Sequence, residues 1–237
     1  MVPLRDENPI RSTPYITYGL IGLNIAIFLF EIGLSPQALE LFFDRWAVVP
    51  AQLSTSFQGA GPNPLQEWFT LISSQFLHGG FLHLGGNMLY LWVFGNNIED
   101  RLGKVKFIIF YLGCGILAAL SQWIFEPGST VPTVGASGAI AGVMGAYILK
   151  FPQARILTLI PFFFFITTIR IPALFFLGFW FVQQALYGIA SLGATADMGT
   201  GGVAYWAHAG GFIFGIVLGP LLGLFSEPAA PPSPPYR

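Results

Sequence analysis

Charge is what this sequence has least of. Only 9% of its 237 residues are charged, against about 25% in an ordinary soluble domain. So few charged groups cannot cover the surface of a soluble globule. The ten Lys and Arg nearly cancel the eleven Asp and Glu, for a net charge of −1. That balance gives no basic footprint for nucleic acid. The single cysteine, Cys114, excludes an internal disulfide and a Cys-rich metal site. No metal or other cofactor is expected.

What is abundant is apolar. Hydrophobic residues make up 54% and aromatics 16%, with 24 Phe, and the mean hydropathy is +0.67. A wholly disordered chain is excluded by the same numbers. A helix needs about 20 apolar residues to cross a bilayer, so six crossings would use about 120 residues, half of this chain. The expected class is an all-α polytopic membrane protein.

The apolar runs fall at Tyr15–Phe30, Phe81–Ile98, Phe107–Phe125, Gly135–Leu149, Ile171–Leu192 and Trp206–Phe225. They are read as six transmembrane helices within a membrane domain over 15–225. Residues 1–14 then form a short cytoplasmic N-terminus, and 226–237 a Pro-rich disordered tail. The segment Ile156–Ile169 is apolar but interrupted by Pro161, and is read as a membrane-surface or partly buried connector. The polar stretch from Ser35 to Gln66 is read as loop. Aromatics such as Trp46, Phe57, Trp68 and Phe76 would seat the whole 35–80 segment partly in the outer leaflet.

Nine of the ten basic residues (Arg5, Arg11, Arg101, Lys104, Lys106, Lys150, Arg155, Arg170 and Arg237) then fall on one side, and only Arg45 on the other. Acidic Glu40, Asp44, Glu67, Glu126 and Asp197 accompany Arg45. Basic loops stay inside, so both termini are expected to be cytoplasmic. The expected location is a multi-pass protein of a bacterial cytoplasmic membrane.

All three histidines, His78, His83 and His208, lie in or beside apolar runs, where polar groups are costly and mark candidate sites. His83-Leu-Gly-Gly-Asn87 places His83 and Asn87 on one helical face. Two neutral donors there could hold an oxyanion or simply bond another helix. Gly135-Ala-Ser137-Gly138 opens the fourth run. A helix starting there aims free N–H groups and its dipole at the serine, although serine is also a common N-cap. Gly138 with Gly142, and Ala141 with Gly145, mark a closely packed face. In the sixth run, Gly211, Gly215 and Gly219 follow His208 one turn apart. That stripe would let the fourth and sixth helices touch and bring His208 toward Ser137. Together these groups supply a nucleophile, a base and oxyanion donors.

These residues, taken in this order, resemble the rhomboid intramembrane serine proteases. The resemblance rests on His83-x-x-x-Asn87, Gly135-x-Ser137-Gly138 and Ala207-His208-x-x-Gly211. Gly95…Glu99…Gly103 after the second helix and His78 before His83 add to it, and it runs from about Glu67 to Leu224. It implies a six-helix bundle with a partly membrane-embedded first extracytoplasmic loop. It also implies a Ser–His dyad, opening to the extracytoplasmic side, that hydrolyses peptide bonds in or near transmembrane segments of other membrane proteins. By position, Ser137 resembles the nucleophile and His208 the general base. His83, Asn87 and the Ser137 N–H resemble the oxyanion hole. His78 resembles a histidine that pins the first loop, and Glu99 a structural anchor pairing with nearby basic groups.

Two positions depart from the family pattern. Phe69-Thr70 stands where many members carry Trp-Arg, which puts the bracing of the first loop in question and suggests a weakly held segment. Ala141 replaces a Tyr that in some members stacks on the base, so other groups must orient His208. Rival readings fare less well. There is no His-Glu-x-x-His for zinc and no pair of intramembrane aspartates. A transporter or channel would often show repeated halves, and none is visible. A non-catalytic binder of client helices would be expected to have lost Ser137 or His208.

Overall fold

The computed structural model describes residues 1–60, 64–162, 165–192 and 203–226. The tail from 227, with Arg237, and the acidic Asp197 lie outside the described residues. The chain is mostly helical, and among the described residues six helices of fourteen residues or more form its body: α1 (Tyr15–Glu31), α5 (Phe81–Leu102), α6 (Lys104–Phe125), α7 (Ser137–Lys150), α8 (Ala173–Ser191) and α9 (Tyr205–Leu221). By length and composition, α6 and α8 are long and apolar enough to cross a membrane, while α1, α7 and α9 are shorter apolar helices.

Helix α7 is the axis of the body. Every residue from Gly138 to Tyr147 is buried. Its small residues permit this, because backbone can approach where side chains are missing. A β-carbon on Gly145 would collide with the Phe212 carbonyl, and one on Gly215 with the Gly142 carbonyl. One on Gly211 would strike the carbonyl of Gly138. The glycine stripes of α7 and α9 therefore meet as the sequence suggested. Ala118 and Cys114 of α6 pack against the same glycines of α7, Gly138 and Gly142.

The stretch read as loop is largely helical. It holds α2 (Pro36–Trp46), α3 (Pro50–Phe57), α4 (Pro64–Ser73) and a 3₁₀ turn at Ser74–Phe76. Proline opens all three helices, where its missing N–H is not needed. Ser35 caps α2 by accepting the Ala38 N–H at 3.3 Å. Thr70 is buried, and its hydroxyl donates to the Glu67 carbonyl of its own helix at 2.6 Å.

Other groups brace the segment in place of the expected guanidinium. Ser73 Oγ donates to the Trp46 carbonyl at 2.7 Å, and Gln66 Nε2 to the Arg45 carbonyl at 2.9 Å. Ser54 ties to the Pro127 carbonyl and receives the Trp123 indole N–H. Val48 and Thr133 pair as an antiparallel bridge. This network is not what a weakly held loop would show.

The Ile156–Ile169 connector is a β-hairpin, so the expectation of an all-α chain does not hold. Strands β2 (Arg155–Phe162) and β3 (Phe165–Pro172) pair in register from Arg155 opposite Pro172 to Phe162 opposite Phe165. The N-terminal residues add a third strand, β1 (Val2–Asp6), antiparallel to β2, with a register shift between Pro3 and Arg5. Ile, Thr and Leu dominate the hairpin and suit a pleated surface. Alternate residues Ile156 and Thr158 are fully buried.

The sheet sits at the end of the bundle that gathers Arg5, Arg101, Lys104, Lys150, Arg155 and Arg170. There Lys104 lies over the Tyr15 ring and Arg101 over Phe151. Helix α5 runs on to Leu102, so Gly95 and Glu99 lie inside it. Gly103, at φ 76°, makes the turn into α6.

Candidate active site

The site is built where α7 begins. Gly135 adopts a φ of 121° and donates its N–H to the Ser74 carbonyl at 2.9 Å. Glycine is required there for space as well as conformation. A β-carbon would lie 2.7 Å from His83 Nε2 and 3.4 Å from Asn87 Nδ2. Both α5 side chains thus point at the turn that delivers Ser137. As the first residue of α7, Ser137 has a backbone N–H with no intrahelical acceptor.

His208, in the first turn of α9, faces Ser137 with 2.8 Å between Nε2 and Oγ. The small residues Gly138, Ala207 and Gly211 make this approach possible. The other ring nitrogen, Nδ1, lies 2.8 Å from Oε1 of Gln184 on α8. The Trp180 ring flanks the imidazole at 5.8 Å between centroids. Next to His208, the Ala207 N–H donates to Gln122 Oε1 of α6 at 3.2 Å. Gln122 in turn donates to Glu126 at 2.9 Å.

His78 is buried, and its backbone N–H donates to the Glu31 carboxylate of α1 at 3.3 Å. That contact ties the first loop to α1. The ring does something else, placing Nε2 3.0 Å from Asn87 Nδ2 and so fixing the Asn87 amide.

Glu99 is an anchor, but its partners are not basic side chains. Its carboxylate accepts the Ile16 and Thr17 N–H groups at 2.9 and 2.7 Å and the Thr17 hydroxyl at 2.8 Å. It therefore caps α1, whose own preceding residue, Pro14, offers no side-chain cap. The free N–H groups and positive dipole end of a helix attract a carboxylate as strongly as a surface lysine does.

His83, Asn87, Ser137 and His208 line one cavity of about 680 Å³, joined by Tyr90 and Trp180. Among the described residues no carboxylate lines it, and no group of three His, Cys, Asp or Glu is placed to hold a metal. Gln184, Trp180 and Gln122 did not stand out in the sequence. A signal for Gln184 was present, since Gln183-Gln184 interrupts an otherwise apolar run and uncharged polar groups are also costly there.

A family model for the rhomboid domain matches residues 65–225. Rhomboid protein 1, mitochondrial, of Saccharomyces cerevisiae is 30% identical over 209 residues, covering 86% of this chain and 52% of that protein. Rhomboid protease GluP of Bacillus subtilis is 34% identical over 139 residues, 58% of this chain and 25% of GluP. The putative rhomboid protease YdcA of the same organism is 42% identical over 148 residues, 61% of this chain and 68% of YdcA. The chain thus spans about half of the yeast relative and a quarter of GluP. The relatives divide between mitochondria and a bacterium, so similarity gives no support to a bacterial membrane in particular. The domain match spans α4 and the five helices α5–α9, with both Ser137 and His208 inside it, and the chain belongs to the membrane-embedded rhomboid family.

Proposed function

We propose that this protein is an intramembrane serine endopeptidase that cleaves other membrane proteins in or near their transmembrane segments. The observation that carries the reading is the 2.8 Å contact between His208 Nε2 and Ser137 Oγ. A serine hydroxyl is a weak nucleophile until a base accepts its proton. His208 Nε2 takes that proton as Ser137 Oγ attacks the scissile carbonyl carbon. The resulting oxyanion accepts hydrogen bonds from the Ser137 N–H, His83 and Asn87, whose side chains converge on Gly135. His208 then hands the proton to the leaving amine as the C–N bond breaks, leaving an acyl ester on Ser137. Water enters the cavity, gives a proton to His208 and attacks the ester. The acid product departs and Ser137 recovers its proton.

The same reading has six membrane crossings, α1 and α5–α9. The sheet and both termini lie on the basic, cytoplasmic side, and the cavity opens on the opposite one. Neutral donors suit this setting, since an added buried cation would be costly. The test is labelling of detergent-solubilised protein with a fluorophosphonate probe. The wild type should label on Ser137 and Ser137→Ala should not. Equal labelling of the two would end the serine-protease reading.

A further inference from the structure

Ala141 offers His208 no ring to stack against, so something else must hold the imidazole. Helix α8 does so from the far side. Trp180 and Gln184 are one turn apart on the same face. The indole flanks the His208 ring, and Gln184 Oε1 meets Nδ1 at 2.8 Å. Gln184 is only 8% exposed, although its neighbours Val182 and Leu186 are 53% and 60% exposed. The adjacent Gln183 turns away, its amide 3.5 Å from the Tyr187 hydroxyl. Of two consecutive glutamines, one therefore faces the candidate base.

The two nitrogens of a neutral imidazole are not equivalent, because one carries the proton and the other the lone pair. An acceptor at Nδ1 places the proton on Nδ1 and leaves the lone pair on Nε2, facing Ser137. A donor at Nδ1 would do the reverse and leave the serine facing an N–H that cannot take its proton. A glutamine can present either atom, and the structure presents its oxygen. We infer that Gln184 is a positioning residue that fixes the tautomer of His208 from α8, taking the orienting role that a buried carboxylate plays in a Ser–His–Asp triad. The inference rests on the Ser137–His208 reading. The other titratable groups near the ring are His83 and Tyr90, from α5, in the same cavity, and Glu126, the residue after α6, behind Gln122. None of these touches Nδ1, so a new carboxylate at position 184 would be the first charge in contact with the base.

The experiment compares the full-length wild type with Gln184→Met and Gln184→Glu. It measures cleavage of a transmembrane substrate across pH, fluorophosphonate labelling, and the ¹⁵N signals of the His208 ring, assigned by comparison with His208→Ala. In the wild type Nδ1 should carry the proton. Gln184→Met keeps the shape without the acceptor. It should lower kcat and the labelling rate at least about tenfold, a part of the roughly 10²–10⁴ that a positioned general base contributes. KM should stay within about twofold, because substrate binding is not involved.

Gln184→Glu restores an acceptor, so it should regain turnover over Gln184→Met. Its charge stabilises imidazolium, which should move the acid limb of the pH–rate profile upward by about 1–3 pH units. Wild-type protein with the proton on Nε2 would overturn the inference. So would Gln184→Met with unchanged kcat and an unchanged ring spectrum, or Gln184→Glu with an unmoved acid limb. An intact Nδ1–H that disappears in Gln184→Met, in a protein that neither labels nor cleaves, would keep the contact and remove the protease reading.

Discussion

The two ends of this bundle use polar groups in opposite ways. The groups that line the cavity are neutral, namely Ser137, His208, Gln184, His83 and Asn87, and they bond side chain to side chain or converge on one turn, with the carboxylates Glu31 and Glu126 one contact behind them at the His78 N–H and at Gln122. At the sheet end the work is done by carboxylates. Glu99 caps α1, Asp100 accepts the Arg11 and Ser12 N–H groups, and Asp6 receives Asn97 Nδ2 and the Tyr147 hydroxyl. On the proposed membrane placement, physical setting explains the division. Carboxylates are tolerated where headgroups, water and helix N-termini meet them, and are expensive at membrane depth. On the proposed function, the cavity end is arranged for reaction and the sheet end for holding helices in place.

If that division holds, substitutions at the cavity end should change rate and leave the melting temperature alone. The largest effect belongs to Ser137→Ala and His208→Ala, each of which should abolish turnover. The double variant should be no slower than either, because the two act as a unit. Asn87→Ala comes next. Losing one donor to an oxyanion costs about 10²–10³ in kcat, while His83 and the Ser137 N–H remain. Kinetics on a transmembrane substrate, with thermal unfolding in parallel, checks all of these. A large drop in melting temperature without a rate defect in the folded fraction would move Asn87 to the structural side.

Substitutions at the sheet end should do the reverse. Glu99→Ala strands the Ile16 and Thr17 N–H groups and the Thr17 hydroxyl in a buried place. Unsatisfied buried groups cost about 1–3 kcal/mol, so the melting temperature should fall. The turnover of the molecules that remain folded should not change. An equal loss in kcat at unchanged stability would join Glu99 to the site and erase the contrast.

The same division governs what is legible in the sequence. Ser137, His208, His83 and Asn87 can be read because each is a polar residue in a glycine-rich, apolar frame, where burying a polar group costs too much to be incidental. The glycine stripes of α7 and α9 can be read because small residues at one-turn spacing have a packing consequence of their own. The sheet cannot. Val2 pairs with Leu159, a contact across most of the chain that no local pattern announces. Pro161 within an apolar run also looks the same in a broken helix and at a hairpin. In the 35–80 segment the prolines read as breakers, yet Pro36, Pro50 and Pro64 each open a helix, with Ser35 capping the first. Glu99 is legible as an anchor but not its partners, because its nearest cations are visible in sequence and the free N–H groups of α1 are not. Gln184 is inconspicuous because it does not ionise, and its value depends on a ring nitrogen supplied by another helix.

The smallest expected effect sets two adjacent residues at the N-terminal strand against each other. Burial raises the Asp6 carboxyl above its usual value of 3.8, against the hydrogen bonds from Tyr147 and Asn97. The Arg170 hydrogen bond lowers the Glu7 carboxyl below its usual 4.5. Stability follows the difference in bound protons between unfolded and folded chains. Folded Asp6 holds its proton more tightly than unfolded Asp6. Its contribution is therefore full below the unfolded value and is lost as pH rises through the folded one. Glu7 runs the other way, contributing above its unfolded value and losing that contribution as pH falls through its lowered one. In the wild type the Asp6 slope runs upward from its usual 3.8 and the Glu7 slope downward from its usual 4.5, so the two oppose each other where they overlap between those values. Asp6→Asn should leave the Glu7 slope alone, so that melting temperature falls more steeply on acidification than in the wild type. Glu7→Gln should leave the Asp6 slope, so that acidification protects. The Glu7 share should be the smaller and should fade with added salt, since its partner is an exposed guanidinium. Melting curves at several pH values decide the matter, and parallel shifts of both variants would show that neither carboxyl titrates with the docking of β1.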